Sequence, residues 1–278
     1  MPGAISTMPV QSPDLKVEFG SVPQTATAGW HFDGDAILLR VPRLARFRIS
    51  AGRSVIVELE EGAVARDASA FVLGSAFGAV LHQRGMLVLH ASAICRNGRA
   101  IAICGPSGAG KSTLAAALCQ AGCSFVADDL CAVSLDTERG PVVLPDGRQL
   151  KLWRRSIEGL ALDSRRGEQV FRPQDKYFVA PDSVAAEPPL LSAIYVLNEG
   201  PLEAVLERQS PAETMNILAE ESYRPELRQL LGSASQMLAQ GVALLRHTSV
   251  FRLSRPLGFE RLPAVVDKLI THWDGLDR

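Results

Sequence analysis

Residues 105–113 of this chain read GPSGAGKST, the spacing G-x-x-x-x-G-K-[ST] of a loop that cradles phosphates. Each residue type has a task in such a loop. Gly105, Gly108 and Gly110 open backbone dihedrals closed to other residues, so that successive N–H groups turn inward on a phosphate chain. Pro106, Ser107 and Ala109 complete the loop. Lys111 is placed to reach the β- and γ-phosphates of ATP, and the Ser112 hydroxyl to ligate Mg²⁺ with Thr113 beside it. The bare pattern also arises by chance in glycine-rich chains, so context decides. Here an apolar run, Ala100 to Cys104, reads as a strand before the loop, and Leu114 to Leu118 reads as a helix after it. The positive end of that helix adds to the field on an anion.

Asp128 and Asp129 follow a second apolar run, Cys123 to Ala127, seventeen residues after Lys111. One helix and one strand fit between, which places both acids where a parallel strand ends beside the loop. One carboxylate can then hold Mg²⁺ and the other take a proton from an attacking hydroxyl. Two adjacent acids are otherwise a common turn or cap. His90 ends the run Met86 to His90 and is able to reach the same cleft, although on residue type alone a lone histidine reads first as structural. Arg148, Lys151, Arg154, Arg155 and Lys176 offer cations for a transferring phosphoryl group or an acidic peptide. Taken singly, each is as well explained by a solvated helix face.

These residues need elements to hold them. From Asp14 to about Glu61 short alternating runs punctuated by Gly20, Pro23, Gly34, Pro42 and Gly52 predict β-hairpins. A helix over 65–84 ends them at Gly85. Asn97-Gly98 is a strong hairpin signal leading into the strand before the loop. Gly122 is a helix stop, and the resulting β-loop-α-β unit implies parallel strands joined by a right-handed crossover. Further strands are expected at 131–135, 141–145, 190–197 and 249–253. Helices are expected at 153–162, 211–219, 226–245 and 262–272, and a mobile loop over 167–175. The organisation expected is a disordered tail over 1–13, a small β-rich domain over 14–85 and a phosphate-loop domain over 86–278.

With 278 residues, 47% hydrophobic and 21% charged, the chain is able to bury a core without staples. A net charge of −1 gives no footprint for nucleic acid or an anionic membrane. The N-terminus lacks the pattern of a secretory signal, and 68–81 is too short and too broken by glycine to span a bilayer. Five cysteines crowded between Cys95 and Cys131 read as free thiols in a reducing cytoplasm. Cys119 and Cys123, one helical turn apart, have no further ligand to complete a zinc site, so packing is the better reading.

The run LHASAI…GRAIAICGPSGAGKSTLAAALCQAGCSFVADDL resembles the catalytic domain of the bacterial HPr kinase/phosphorylase family, where a histidine-bearing strand, the loop and an Ala-Asp-Asp strand end recur in this order. It is more similar still to the HPr-kinase-like proteins encoded beside lasso-peptide genes. The resemblance covers residues 86–180 well and the remainder in outline. It implies an α/β fold, a P-loop kinase domain of the HPr kinase/phosphoenolpyruvate carboxykinase type with a small mainly-β N-terminal domain. It implies ATP and Mg²⁺, a peptide or small-protein substrate with an acceptor serine, and a homo-oligomer as one arrangement to test. Carried over, Lys111 and Ser112 bind phosphates and metal, Asp128 is the general base, and Asp129 and His90 support the metal, the phosphate or Asp128. Thr113 replaces the acid that follows Lys-Ser in HPr kinases, and the glycine-rich signature linked to the reverse reaction is not recognisable in LPDGRQLKLWRRSIEGL. A bifunctional kinase/phosphorylase and a regulatory NTPase that transfers nothing remain the alternatives. No LSGGQ-like signature points to a transport ATPase.

Overall fold

Alternation of apolar and polar residues builds a first sheet in the computed structural model, which describes residues 14–135, 138–170, 174–231 and 234–276. The tail expected over 1–13 lies outside the described residues. Strands β1 (Lys16–Phe19), β2 (Gly29–Asp33), β3 (Ala36–Val41), β4 (Ala45–Ser50) and β5 (Ser54–Leu59) pair in the order β1-β5-β4-β3-β2. In β4, Ala45, Phe47 and Ile49 are buried while Arg46 and Arg48 stay half-exposed, the period of two that makes one face a core. Helices α1 (Ala65–Phe71) and α2 (Phe77–Gln83) cover that face, joined through a π turn at Val72–Ala76. The single regular helix expected over 65–84 is thus widened where Gly74 and Ser75 sit buried.

The rest of the chain supplies β6 (Leu87–Leu89), β7 (Ser92–Arg96), β8 (Arg99–Cys104), α3 (Lys111–Gln120), β9 (Ser124–Ala127), β10 (Cys131–Ser134) and β11 (Val142–Val143). There follow β12 (Leu150–Trp153), α4 (Arg154–Gly159), β13 (Arg166–Gln169), β14 (Lys176–Val179), β15 (Leu190–Glu199) and β16 (Val205–Arg208). The last elements are α5 (Pro211–Glu220), α6 (Pro225–Leu231), α7 (Ala234–Leu245), β17 (Ser249–Arg255) and α8 (Leu262–Gly275).

A nine-stranded sheet runs β6-β10-β11-β15-β8-β7-β9, with β17 added to β15 and β16 to β17. β8, β15 and β17 are parallel. The Asn97-Gly98 turn takes φ of +53° and +75° and joins β7 to β8 as an antiparallel hairpin. β9 also pairs antiparallel with β7, so β8 and β9 run the same way without touching. The crossover through α3 therefore passes over β7 and joins two parallel, non-adjacent strands, as the β-loop-α-β reading allows. Adjacency is set by the Asn-Gly hairpin, which occupies the edge of β8 first.

α3 is alanine-rich because it is covered on several sides. Leu114 and Leu118 share one cluster with Ile101 and Ile103 below, Leu150, Leu152 and Val179 above, and Leu269 of α8. The cover is a small sheet, β12-β14-β13. Trp153 closes β12, and α4 starts one residue later than the helix expected from Trp153. Part of the loop expected over 167–175 is strand β13, whose polar residues Arg166, Gly167 and Glu168 are exposed, leaving no apolar alternation to betray it. Residues 171–173 of that loop lie outside the described residues. The helix expected over 226–245 is helical at Pro225–Leu231 (α6) and Ala234–Leu245 (α7), and 232–233 lie outside the described residues.

α5 and α7 cover the other face through Ile217, Leu218 and Leu244. Leu227 of α6 joins the core of the first sheet, and Tyr223 packs with Leu81, Val88 and Leu130. The α1–α2 helix is thus wedged between the two sheets. No helix among the described residues is long and apolar enough to cross a membrane. The carboxyl ends of β8, β9, β15 and β17 share one edge of the large sheet, where open α/β sheets present ligand sites.

Candidate phosphoryl-transfer site

β8 ends at Cys104, and the chain then turns on Gly105, Gly108 and Gly110 at φ of +134°, +85° and +88°. A Cβ at Gly105 would lie 3.0 Å from the Leu197 carbonyl of β15, so that glycine is required by contact as well as by dihedral. Ala109 N–H donates to the Pro106 carbonyl at 3.1 Å, and Gly110 caps α3 in the left-handed region. Lys111 is 8% exposed, its Nζ donating to the Gly105 carbonyl at 2.6 Å and to that of Pro106 at 3.4 Å. Burial lowers its pKa, and Glu221 is the strongest of the acids that oppose the shift.

Glu221, at the end of α5, gave no signal in the sequence. Its carboxylate accepts the Gly105 N–H at 2.9 Å, and its carbonyl accepts the His90 N–H at 2.7 Å. It ties the start of the loop to the histidine from 116 residues away.

The two acids after β9 occupy different environments. Asp128 is 1% exposed. Its Oδ1 accepts the hydroxyls of Ser92 at 2.6 Å and Ser112 at 2.8 Å, and its Oδ2 accepts the backbone N–H of Lys151 at 2.8 Å. Asp129 adopts φ of +74°, a region in which aspartate is among the better tolerated residues, and its side chain remains 31% exposed. Its two oxygens face His90 Nε2 at 3.3 Å and Lys151 Nζ at 3.1 Å. Burial pushes its carboxyl up, but the His90 hydrogen bond and the Lys151 charge outweigh that and hold it well below the usual carboxylate range. His90, just past β6, sets its ring edge-on to Tyr223 with centroids 6.2 Å apart.

The structure therefore joins Ser112 to Asp128, and joins His90 and Lys151 to Asp129. Thr113 faces elsewhere, its Oγ1 2.9 Å from Ser156 Oγ of α4. Of the cations singled out in the sequence, Lys151 alone contacts either acid among the described residues. Arg148 binds Asp146 and the Leu73 carbonyl. Arg154 binds Asp175 and Tyr177, and Lys176 lies 6.0 Å from the Trp153 ring centroid. Arg255, which the sequence reading passed over, reaches the loop at Ala109.

Ser112 Oγ and Asp128 Oδ1, 2.8 Å apart, form the hard oxygen pair that suits Mg²⁺, an ion that takes few protein ligands and completes its shell with phosphate and water. The cysteines are buried free thiols, and burial pushes Cys119 up to about 12 and Cys123 to about 11.

No protein-family model matches this sequence, and no curated protein matches it. Among solved structures the chain is similar to the Hpr(Ser) kinase/phosphatase from Coxiella burnetii, at 12% identity and a TM-score of 0.37 over 69% of this chain and 99% of that one. The roles assigned below rest on the geometry of this chain.

Proposed function

We propose that this protein is an ATP- and Mg²⁺-dependent kinase that phosphorylates a serine hydroxyl of a peptide or small protein. The observation that carries the reading is the division of labour at the end of β9. One acid is locked to the loop serine, and its neighbour stands half-exposed between a histidine and a lysine. A phosphate loop alone would serve any nucleotide-binding protein. The second carboxylate supplies what an acceptor hydroxyl needs.

Asp128 and Ser112 are the residues that would hold Mg²⁺, which when bound neutralises charge on the β- and γ-phosphates. Lys111 exchanges the Gly105 and Pro106 carbonyls for phosphate oxygens. Asp129 takes the serine proton as the new oxygen–phosphorus bond forms and the bond to the ADP oxygen breaks. We thus assign the base to Asp129 and the metal contact to Asp128, the reverse of the assignment carried over from the family resemblance. Asp128 is buried with its Oδ1 already facing Ser112, whereas Asp129 keeps an exposed edge for an acceptor hydroxyl. The loose transition state of phosphoryl transfer asks more for a positioned carboxylate than for a strong base. His90 and Lys151 orient it.

The acceptor class, including a lasso-peptide precursor, is supported by the resemblance of residues 86–180 and by nothing in the geometry. Incubation with Mg-ATP and serine-containing peptides tests it, read as a mass gain of one phosphate on the peptide. Phosphate release without any phosphopeptide would instead identify a nucleotide-hydrolysing regulator.

A further inference from the structure

β17 ends at Arg255, one strand beyond β15, with the loop at the end of β8 on the far side. The arginine is 5% exposed. Its Nη2 donates to the Ala109 carbonyl at 2.7 Å and its Nη1 to the Pro256 carbonyl at 3.3 Å, while its buried Nε has no partner among the described residues. No carboxylate pairs with it among those residues either, and burial lowers its pKa with no acid opposing. A Cβ added at Gly110 would sit 2.7 Å from Nη2, so the guanidinium lies directly against the loop where α3 begins.

This is a costly place for a cation. Removing a guanidinium from water is unfavourable unless charge or hydrogen bonds replace the solvent. Two backbone carbonyls replace part of it, and the positive end of α3 and Lys111 add repulsion. The charge is compensated when a polyanion lies across the loop. The hydrogen bond also has a direction. In a planar trans peptide the carbonyl and the following N–H point opposite ways. By holding the Ala109 carbonyl toward β17, Arg255 aims the Gly110 N–H away from it, into the turn where phosphate-binding amides converge.

We infer that Arg255 is a positioning residue for nucleotide binding, fixing the Ala109–Gly110 peptide and adding its buried charge to the field at the phosphate chain. The inference rests on reading residues 105–113 as a nucleotide site, and it goes beyond that reading in assigning a role to a strand 144 positions after Lys111.

Two variants, Arg255→Met and Arg255→Gln, test it by calorimetric titration of the full chain with Mg-ADP and by melting of the ligand-free protein. Arg255→Met raises the Mg-ADP Kd by about tenfold or more, in the range of losing one preorganised electrostatic contact. Its ligand-free melting temperature stays level or rises, because an apolar side chain relieves an uncompensated buried charge. Arg255→Gln keeps a donor for Ala109 without the charge and falls between wild type and Arg255→Met. An unchanged Kd in Arg255→Gln and Arg255→Met overturns the inference. So does a Kd that rises only together with a fall in ligand-free melting temperature, the mark of a scaffold residue. If Arg255→Met does not fold, Arg255→Gln is read by the same criteria. A wild-type chain that binds no Mg-ADP overturns the nucleotide reading itself.

Discussion

Asp128 and Asp129 are consecutive residues at the end of one strand, yet the first is 1% exposed and the second keeps a side chain 31% exposed. The difference begins in the backbone, where Asp129 turns to φ of +74° and its side chain leaves the course set by β9. Asp128 is held by neutral donors, two serine hydroxyls and an amide, from β7, the start of α3 and β12. Asp129 is held by ionisable groups, His90 and Lys151, on the solvent side. A buried acid saturated with hydrogen bonds is a fixture. An acid on the solvent side between a histidine and a lysine is one whose proton affinity its neighbours set.

Exchanging a single atom breaks the comparison most sharply. Asp129→Asn removes the proton acceptor and leaves the loop intact, so peptide phosphorylation falls by about a thousandfold, within the span of general base catalysis. The Mg-ADP Kd, measured by calorimetry, stays near the wild-type value. If Asp129→Asn phosphorylates at the wild-type rate, Asp129 is not the base. The next effect falls on the other acid. Asp128→Ala strands two serine hydroxyls and an amide, at a cost of about 2–3 kcal/mol in denaturant melts, and weakens Mg²⁺-dependent nucleotide binding. Loss of transfer with intact stability and binding would instead return the base to Asp128.

The contrast between the acids was only half legible in the sequence. The Gly-x-x-x-x-Gly-Lys-Ser spacing, the flanking apolar runs and the Asn-Gly turn are local signals, and β7, β8, α3 and β9 all form where those signals lie. That the acids fall at a strand end beside the loop also follows from counting one helix and one strand after Lys111. Which acid meets Ser112 depends on a left-handed φ at Asp129, and Asp is compatible with either course. Glu221 and Arg255 reach the loop from α5 and β17 through tertiary packing, which no spacing reports. Strand β13 was missed because its exposed polar residues lack the alternation that marks a half-buried strand.

The pH dependence sharpens the comparison further. Asp129 is held below the usual carboxylate range, so it is ionised at any pH above the ordinary value of about 3.9. It takes up a proton only as pH falls through the lowered folded value. Asp129 therefore contributes no acid limb to kcat between about pH 5 and 7 in the wild type. In Lys151→Met the lysine charge is gone while burial still raises the carboxyl, so Asp129 titrates at a higher pH, read by carboxylate NMR of the two proteins. An Asp129 titration identical in the two proteins would show that Lys151 does not set its proton affinity.

The smallest effect reaches Asp129 from the first sheet. Helix α2 touches Tyr223 so closely at Gly78 that an added Cβ would lie 2.5 Å from the ring, and Tyr223 in turn meets the edge of His90. His82 Nε2 sits 2.7 Å from the Tyr223 carbonyl, so the tyrosine backbone has little room to retreat. Gly78→Ala overpacks this contact at a cost of about 1 kcal/mol in a denaturant melt. The displaced ring loosens His90 against Asp129 while Asp128, held by Ser92, Ser112 and Lys151, keeps its partners. Gly78→Ala accordingly lowers kcat a few-fold, about what a sub-ångström misplacement of one orienting group costs, and leaves the Mg-ADP Kd unchanged. A rise in Kd with kcat preserved would place the influence of α2 on the loop side, through Glu221, instead.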